Sequence, residues 1–176
     1  MNLPRAVTET VTPYRILVVE GHEGLRRACL YSELALLGFP SRQPPEGLHH
    51  LDPTRPYRDL LAAPGRFVVD GGIIGELVYG PLRRGRSRVT WIQALDFAEA
   101  VAEREGALLH LTGGEHDDGS ESAAAALAYA RVFRTLAQHV PVVRVDVAPA
   151  LTDMVAERTR RIRAPAPQLS QLRRSS

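Results

Sequence analysis

The chain has 176 residues, 44% hydrophobic and 24% charged, which are the proportions of one soluble globular domain of ordinary size. A net charge of +2 is too small to argue for nucleic-acid binding, and no apolar stretch is long enough for a membrane span or a signal peptide. Cys29 is the one cysteine, so no internal disulfide can form. This favours a reducing compartment, and we expect a cytoplasmic protein.

The basic side chains are all of one type. Lysine and arginine together number 22, and every one of them is arginine. No lysine is therefore present to bind phosphate, form a Schiff base or act as a general base. Arginine cannot act as the base either, because its guanidinium stays protonated at neutral pH.

The apolar pattern predicts strands alternating with helices. Continuous apolar runs such as RILVVE indicate strands buried on both faces, and helical spacing of apolar residues indicates helices. In chain order, the first half predicts a strand at 15–20, a helix at 25–38, an irregular proline-rich connection at 39–56, a short helix at 57–63, a strand at 66–70, a short helix at 73–79 and a basic loop at 81–88. The second half predicts a helix at 91–105, a strand at 107–112, a polar loop at 113–120, a helix at 121–139, a strand at 142–147 and a helix at 149–163. The apolar side of the helix at 121–139 is marked by Leu127, Ala130, Val132, Phe133 and Leu136.

This order predicts a three-layer α/β domain with a parallel sheet over residues 15–163. We expect residues 1–14 to be a flexible N-terminus and residues 164–176, rich in Pro, Ser and Arg, to be a disordered tail. Ligands of parallel sheets bind at the carboxyl ends of the strands. Glu20, Asp70 and Thr112 end three predicted strands and should gather at that edge.

The segment EGHEGLRRACL, residues 20–30, resembles the EGxDGxGKTTL phosphate loop of thymidylate kinases and related deoxynucleoside-monophosphate kinases. Glu20, Gly21, Gly24 and Leu30 match that motif, and Glu23 keeps its acidic position. The resemblance implies the fold of a P-loop nucleoside-monophosphate kinase. It also implies a nucleotide as ligand, with a phosphate held at Gly21 and Gly24.

The departures from the motif fall on its working residues. Arg26 stands in place of the last loop glycine, and Arg27 in place of the lysine that binds the phosphates. Ala28 replaces the residue whose hydroxyl binds Mg²⁺, and an alanine cannot ligate a metal. A helix N-terminus still attracts anions, so Arg26 and Arg27 remain candidate phosphate ligands. We expect Cys29 to be a small core residue.

A second stretch, DGGIIGELVYGPLRRGRSR at residues 70–88, resembles the Asp-Arg motif of the same family and the basic segment after it. Asp70 and Glu76 match, whereas Gly71 replaces the arginine and Gly75 the serine. The resemblance implies that Asp70 positions a metal or the acceptor phosphate. Arg84 and Arg86 belong to a basic loop, with Arg83 and Arg88, that could grip that phosphate by paired hydrogen bonds.

The loop that corresponds to the family's lid, residues 113–119, is acidic and has no arginine. In the family, lid arginines close over the transferring phosphate. Here the side chains of His116, Asp117 and Asp118 could bind a divalent cation, or the loop could simply be flexible. Losses at the phosphate loop, at the Asp-Arg motif and at the lid together point away from ordinary kinase activity.

Four functions remain open. The first is a regulatory protein or pseudokinase that binds a nucleotide or another phosphorylated ligand without phosphoryl transfer. The second is an enzyme with altered hydrolase or lyase chemistry on a phosphorylated nucleoside or sugar, with Glu20, Glu23, Asp70 and Glu76 as acid–base candidates. The third is an active kinase that uses Arg27 in place of lysine. The fourth is DNA binding by the basic C-terminal tail.

These functions share one set of candidate residues. Those for catalysis are Asp70, Glu23 and Glu76, and those for phosphate binding are Gly21, Gly24, Arg26, Arg27, Arg84 and Arg86. No protein metal ligand is predicted. The cofactor is not fixed by the sequence; Mg²⁺ bound with a nucleotide is the candidate, weakened by Ala28. We expect a small phosphorylated partner, no membrane and no nucleic acid, and the sequence leaves a homodimer open.

Overall fold

The structure is a computed structural model and describes residues 3–22, 27–43, 52–113 and 121–147. Several predicted features lie outside the described residues. These are Glu23, Gly24 and Arg26 of the phosphate loop, nearly all of the acidic loop, the helix expected at 149–163 and the tail at 164–176.

The centre of the protein is a five-stranded sheet in which every pairing is parallel, with strand order β2-β3-β1-β4-β5. The strands are β1 (Ile16–Glu20), β2 (Ser41–Arg42), β3 (Phe67–Asp70), β4 (Gly106–Thr112) and β5 (Val142–Asp146). The three-layer α/β architecture is therefore confirmed. The short strand β2 was not predicted, because two residues inside a proline-rich connection carry no periodic signal.

Helices cover both faces of the sheet. They are α1 (Arg5–Val11), α2 (Arg27–Leu36), α3 (Arg55–Leu61), α4 (Ile73–Arg84), α5 (Trp91–Ala102) and α6 (Glu121–Leu136). One apolar cluster lies between the sheet and α3 to α6, and a second lies between the sheet and α1 and α2. No helix in the described ranges has both the length and the apolar character that a bilayer span requires.

The N-terminal segment differs from the flexible arm expected for residues 1–14. Arg5–Val11 forms α1, and the side chain of Val11 is fully buried in the second apolar cluster. Leu3 and Val7 pack against the same cluster. Polar residues and a proline hid this helix in the sequence, because only a few apolar side chains of the segment face the sheet.

Helix α4 is longer than the sequence predicts, and it includes the first part of the expected basic loop. Pro81 lies inside the helix, four residues before the left-handed cap Gly85, whose φ is 71°. A proline this close to a helix end removes only one backbone hydrogen bond. Arg83 and Arg84 occupy the last turn, where basic side chains are favoured by the helix dipole.

The prediction of a buried Cys29 was wrong, and the prediction of the apolar side of α6 was right only in part. Cys29 is exposed on α2, because Leu30 and Leu34 define the side of that helix that packs on the sheet. On α6 the buried stripe includes Tyr129, Phe133 and Leu136, whereas Leu127 is 64% exposed. The predicted apolar side of α6 is therefore confirmed at Val132, Phe133 and Leu136, which are buried, and wrong at Leu127 and Ala130, which are exposed.

Candidate functional site

The carboxyl ends of β1 and β3 bring two carboxylates to one edge of the sheet, as predicted. Val19, next to Glu20, pairs in register with Asp70, and Glu20 itself pairs with His110 of β4. Thr112 ends the same strand β4. Side chains alternate along a strand, so Glu20 lies on the side of α4 and α6, and Asp70 on the side of α2.

Asp70 is held by two donors from helix α2. Nη1 of Arg27 lies 3.1 Å from Oδ1 of Asp70, and the hydroxyl of Tyr31, one helical turn later, donates to the same oxygen at 2.5 Å. Burial, the hydrogen bond to Asp70 and the charge of Asp70 raise the pKa of Tyr31 above its ordinary value, so the hydroxyl remains a donor.

Arg27 opens α2, where a positive charge opposes the helix dipole. The ion pair with Asp70 offsets that conflict. A second guanidinium nitrogen, Nη2, donates to the carbonyl oxygen of Gly21. Gly21, which was predicted to bind phosphate, is buried. Its carbonyl oxygen accepts from Arg27, the residue in place of the family lysine.

The Mg²⁺ ion implied by the family does not fit these residues. Oδ1 of Asp70 already accepts from Arg27 and Tyr31, and Ala28 offers no hydroxyl. Across the part of the chain that the structure describes, no cluster of three His, Cys, Asp or Glu side chains could hold a metal ion. The guanidinium of Arg27 supplies the positive charge that a divalent cation would bring to Asp70.

Glu20 is the buried acid of the site, with 1% of its surface exposed. Its carboxylate accepts hydrogen bonds from the backbone N–H of Gly75 at 3.3 Å and from the hydroxyl of Tyr129 at 3.2 Å. Burial raises the pKa of Glu20 from 4.5 to about 7, against the opposing effect of Arg27. The group can therefore exchange a proton near neutral pH, which suits a general acid or base.

Glycines bring α4 close to Glu20. A Cβ atom on Gly72 would lie 3.2 Å from Oε1 of Glu20, and one on Gly75 would lie 3.3 Å from the hydroxyl of Tyr129. The serine that the family has in place of Gly75 would crowd this contact. Gly72 and Gly75, which follow Asp70 in the chain, thus leave room for the tightly enclosed carboxylate of Glu20.

The other predicted residues form a separate group on α4 and the loop after it. Glu76 binds the guanidinium of Arg84 and accepts from the backbone N–H of Arg88 at 2.8 Å. Burial raises the pKa of Glu76, but these donors outweigh it and the net shift is downward. Arg83 pairs with Glu121 at 2.6 Å, and Arg86 is exposed.

A buried histidine also lies at this edge of the sheet. His22 is 4% exposed, and its Nε2 lies 3.1 Å from the carbonyl oxygen of Gly113. The contact connects the loop after β1 with the end of β4. In the sequence, His22 occupies a variable position of the phosphate-loop motif and carries no signal of this role.

Comparison with known proteins supports the fold. No protein-family model and no curated protein matches the chain. Among solved structures, the YorR protein of Bacillus subtilis, determined in complex with phosphorylated GDP, is similar with a TM-score of 0.54 and 12% sequence identity. The match covers 84% of this chain and 94% of that chain. At this identity the similarity shows a shared α/β fold and nothing finer.

Proposed function

We propose that this chain binds a nucleotide or another phosphorylated ligand at the carboxyl edge of its sheet, without the phosphoryl transfer of a nucleoside-monophosphate kinase. The main support for this proposal is the position of Arg27 at the start of α2, between the carbonyl of Gly21 and the carboxylate of Asp70. The known ligand of the structurally similar YorR, phosphorylated GDP, is consistent with this proposal.

The missing cations argue against ordinary kinase chemistry. Phosphoryl transfer depends on positive charges placed around the moving phosphate, and one such electrostatic group contributes roughly 3–4 kcal/mol to transition-state stabilisation. Here the lysine, the magnesium-binding hydroxyl and the arginine after Asp70 are replaced by Arg27, Ala28 and Gly71. Binding can survive these losses, because the N-terminus of α2 and the further N–H groups of the Arg27 guanidinium can still donate hydrogen bonds to a phosphate.

The same residues imply that binding does not require Mg²⁺. The charge of Asp70 is balanced by Arg27, and its Oδ1 accepts from both Arg27 and Tyr31, so a metal would have to displace both donors to reach this oxygen. We therefore expect the dissociation constant of a bound nucleotide to be the same in excess EDTA as in millimolar Mg²⁺.

Isothermal titration tests the proposal with ATP, GDP, dTMP and dCMP, each with Mg²⁺ and with EDTA. We expect at least one of them to bind under both conditions. Arg27→Gln should weaken that binding about ten-fold or more, as expected for loss of a charged hydrogen bond. Arg131→Gln, on the exposed side of α6, is the matched control and should bind like the wild type.

Two results would refute the proposal. One is the absence of binding for every phosphorylated ligand in both buffers. The other is turnover of ATP with a nucleoside monophosphate, which would mean that Arg27 replaces the lysine in a working kinase. The double variant Arg27→Lys with Ala28→Thr is informative here, because it restores two residues of the family motif.

A second candidate function is acid–base chemistry on the bound ligand, and Glu20 favours it. A buried carboxyl with a pKa of about 7 can take up or release a proton at working pH. Incubation of the protein with nucleoside monophosphates, followed by assays for released base and phosphate, tests this function. Turnover should change near neutral pH and disappear in Glu20→Gln; turnover that persists in the variant would remove Glu20 from the reaction.

A further inference from the structure

A second cavity lies away from the Arg27–Asp70 pair, between α6 and the edge strand β5. Its volume is about 660 Å³. Small-molecule sites in proteins typically enclose about 300–1,000 Å³, so the cavity is of the right size for a ligand. The described residues that line it belong to β4 and the residue after it, to β5, to α6 and to the loop after β1.

The cavity exists because α6 presents small side chains towards β5, the edge strand of the described sheet. Ala123, Ala126 and Ala130 line it on the helix side, and Val142 and Arg144 line it on the strand side. Leu127 also lines it and is 64% exposed, although it is a large apolar residue. The cavity therefore has an apolar wall that no other part of the described chain covers.

Its floor is a set of stacked rings. The rings of His110 and Phe133 are 4.2 Å apart at 14° to each other, and those of Tyr129 and Phe133 are 6.2 Å apart at 25°. Burial lowers the pKa of His110 to about 4, so its ring is neutral at physiological pH and adds to an apolar surface. Aromatic side chains at the base of the cavity and alanines on α6 favour a ligand with an apolar aromatic ring.

The polar groups among its described lining residues are basic or neutral. Arg134 and Arg144 lie at the cavity, and Nε of Arg144 donates to the hydroxyl of Thr112 at 3.3 Å. None of the described lining residues is acidic. Guanidinium groups beside an apolar floor select an anion, since carboxylates, sulfonates and phosphates accept their paired hydrogen bonds.

We infer that this cavity is a second binding site, and that its ligand is a small anion with a flat aromatic ring. The ring packs against His110, Ala126 and Leu127, and the anionic group reaches Arg134 and Arg144. The site shares Tyr129 with the surroundings of Glu20 but uses neither Arg27 nor Asp70. The cavity reaches the carboxyl edge at His22 and Thr112, but the proposed ligand contacts do not include Arg27 or Asp70.

Isothermal titration with naphthalenesulfonate tests this inference in the full chain. Methanesulfonate has the charge without the ring, and naphthylmethanol has the ring without the charge. We expect naphthalenesulfonate to bind at least about ten-fold more tightly than either of them, because only this probe engages both the floor and the arginines. The inference would be overturned if methanesulfonate or naphthylmethanol bound as tightly as naphthalenesulfonate.

Variants locate the site. Ala126→Phe fills the cavity and should abolish binding, and Arg144→Gln should weaken it about ten-fold through the lost charged contact. Arg131→Gln lies on α6 outside the lining and should have no effect. Circular dichroism checks that each variant is folded; if Ala126→Phe is not, Ala130→Leu at a more exposed lining position replaces it. Undiminished binding in a folded cavity-filling variant would also overturn the inference.

Discussion

Asp70 is held in place by two side chains of α2. One of its carboxylate oxygens accepts from both Arg27 and Tyr31, and the side chains of the ion pair are only 24% and 35% exposed. A carboxylate satisfied in this way is fixed in position and largely neutralised. It can shape the surroundings of Arg27 but has little tendency to capture a metal ion.

Replacement of Tyr31 by phenylalanine tests the strength of this arrangement. The variant loses a hydrogen bond to a charged and partly buried group, so we expect it to lower the free energy of unfolding by about 1.5 kcal/mol. Urea denaturation measures the change. Tyr14→Phe is the matched control, since Tyr14 packs partly buried against the same apolar cluster as Tyr31. Equal stability of the two variants would show that the Tyr31–Asp70 contact contributes nothing.

The raised pKa of Glu20 predicts how the free energy of unfolding depends on pH. Its pKa is about 7 in the folded protein and 4.5 ordinarily, so the folded state binds the proton more tightly between these values. The free energy of unfolding contributed by Glu20 should therefore fall, by about 3 kcal/mol, as pH rises from 4.5 to 7. Glu20→Gln does not titrate, so its stability relative to the wild type should rise by that amount over the same range.

The stability of Glu20→Gln should be measured relative to that of the wild type, because His110 also makes stability depend on pH. Its folded pKa of about 4 lies below the ordinary 6.5, so its contribution to stability grows as pH rises through that interval, opposite to that of Glu20. Both proteins contain His110, and its effect cancels in the comparison. Urea denaturation at several pH values gives the difference; a constant difference from pH 4.5 to 8 would be incompatible with a raised Glu20 pKa.

At the scale of elements, the sequence predicted four strands because each is a continuous apolar run. It also placed Glu20 and Asp70 at one edge, since parallel strands end on the same side. The contact of Tyr31 with Asp70 could not be predicted, because it depends on how α2 crosses the sheet. The extent of α4 was missed for another reason: Pro81 and three arginines within residues 81–86 have the composition of a loop.

Two glycines of α4 explain how the helix and the basic loop fit together. A Cβ on Gly80 would lie 2.8 Å from the Cα of Ser87 and 2.9 Å from the carbonyl oxygen of Arg86, so the loop folds back onto the helix at this point. Gly85 has a φ of 71°, with open space around its missing Cβ. The first glycine is required by close approach and the second by conformation.

Alanine at these two positions should therefore have different effects. Gly80→Ala forces the backbone at Arg86 and Ser87 away, and we expect a loss of about 2 kcal/mol in unfolding free energy and faster trypsin cleavage in the loop. Gly85→Ala should cost about 1 kcal/mol from backbone strain, with a smaller change in cleavage. Denaturation and timed proteolysis measure the two effects. Similar cleavage rates in both variants would mean that the loop does not rest on Gly80.

At the scale of the whole molecule, the two faces of the sheet carry two different sets of polar groups. On the side of α2, Arg27 and Asp70 form an ion pair beside the loop after β1. On the side of α6, Glu20, Tyr129 and His110 connect a buried acid to an aromatic cavity. The cavity could not be read from the sequence, because an alanine-rich helix predicts close packing, and only the position of β5 at the sheet edge leaves the space open.

The N-terminal helix provides the last prediction, because it decides where the folded domain begins. The side chain of Val11 is fully buried between the sheet and its helices, so Val11→Ala should lower the free energy of unfolding by about 2 kcal/mol through lost apolar contact and the cavity left behind. Thr10→Ala, next to it but exposed, should change stability by less than about 0.5 kcal/mol. Urea denaturation measures both. If Val11→Ala were as mild as Thr10→Ala, residues 5–11 would not belong to the cooperative unit, and the domain would start at β1.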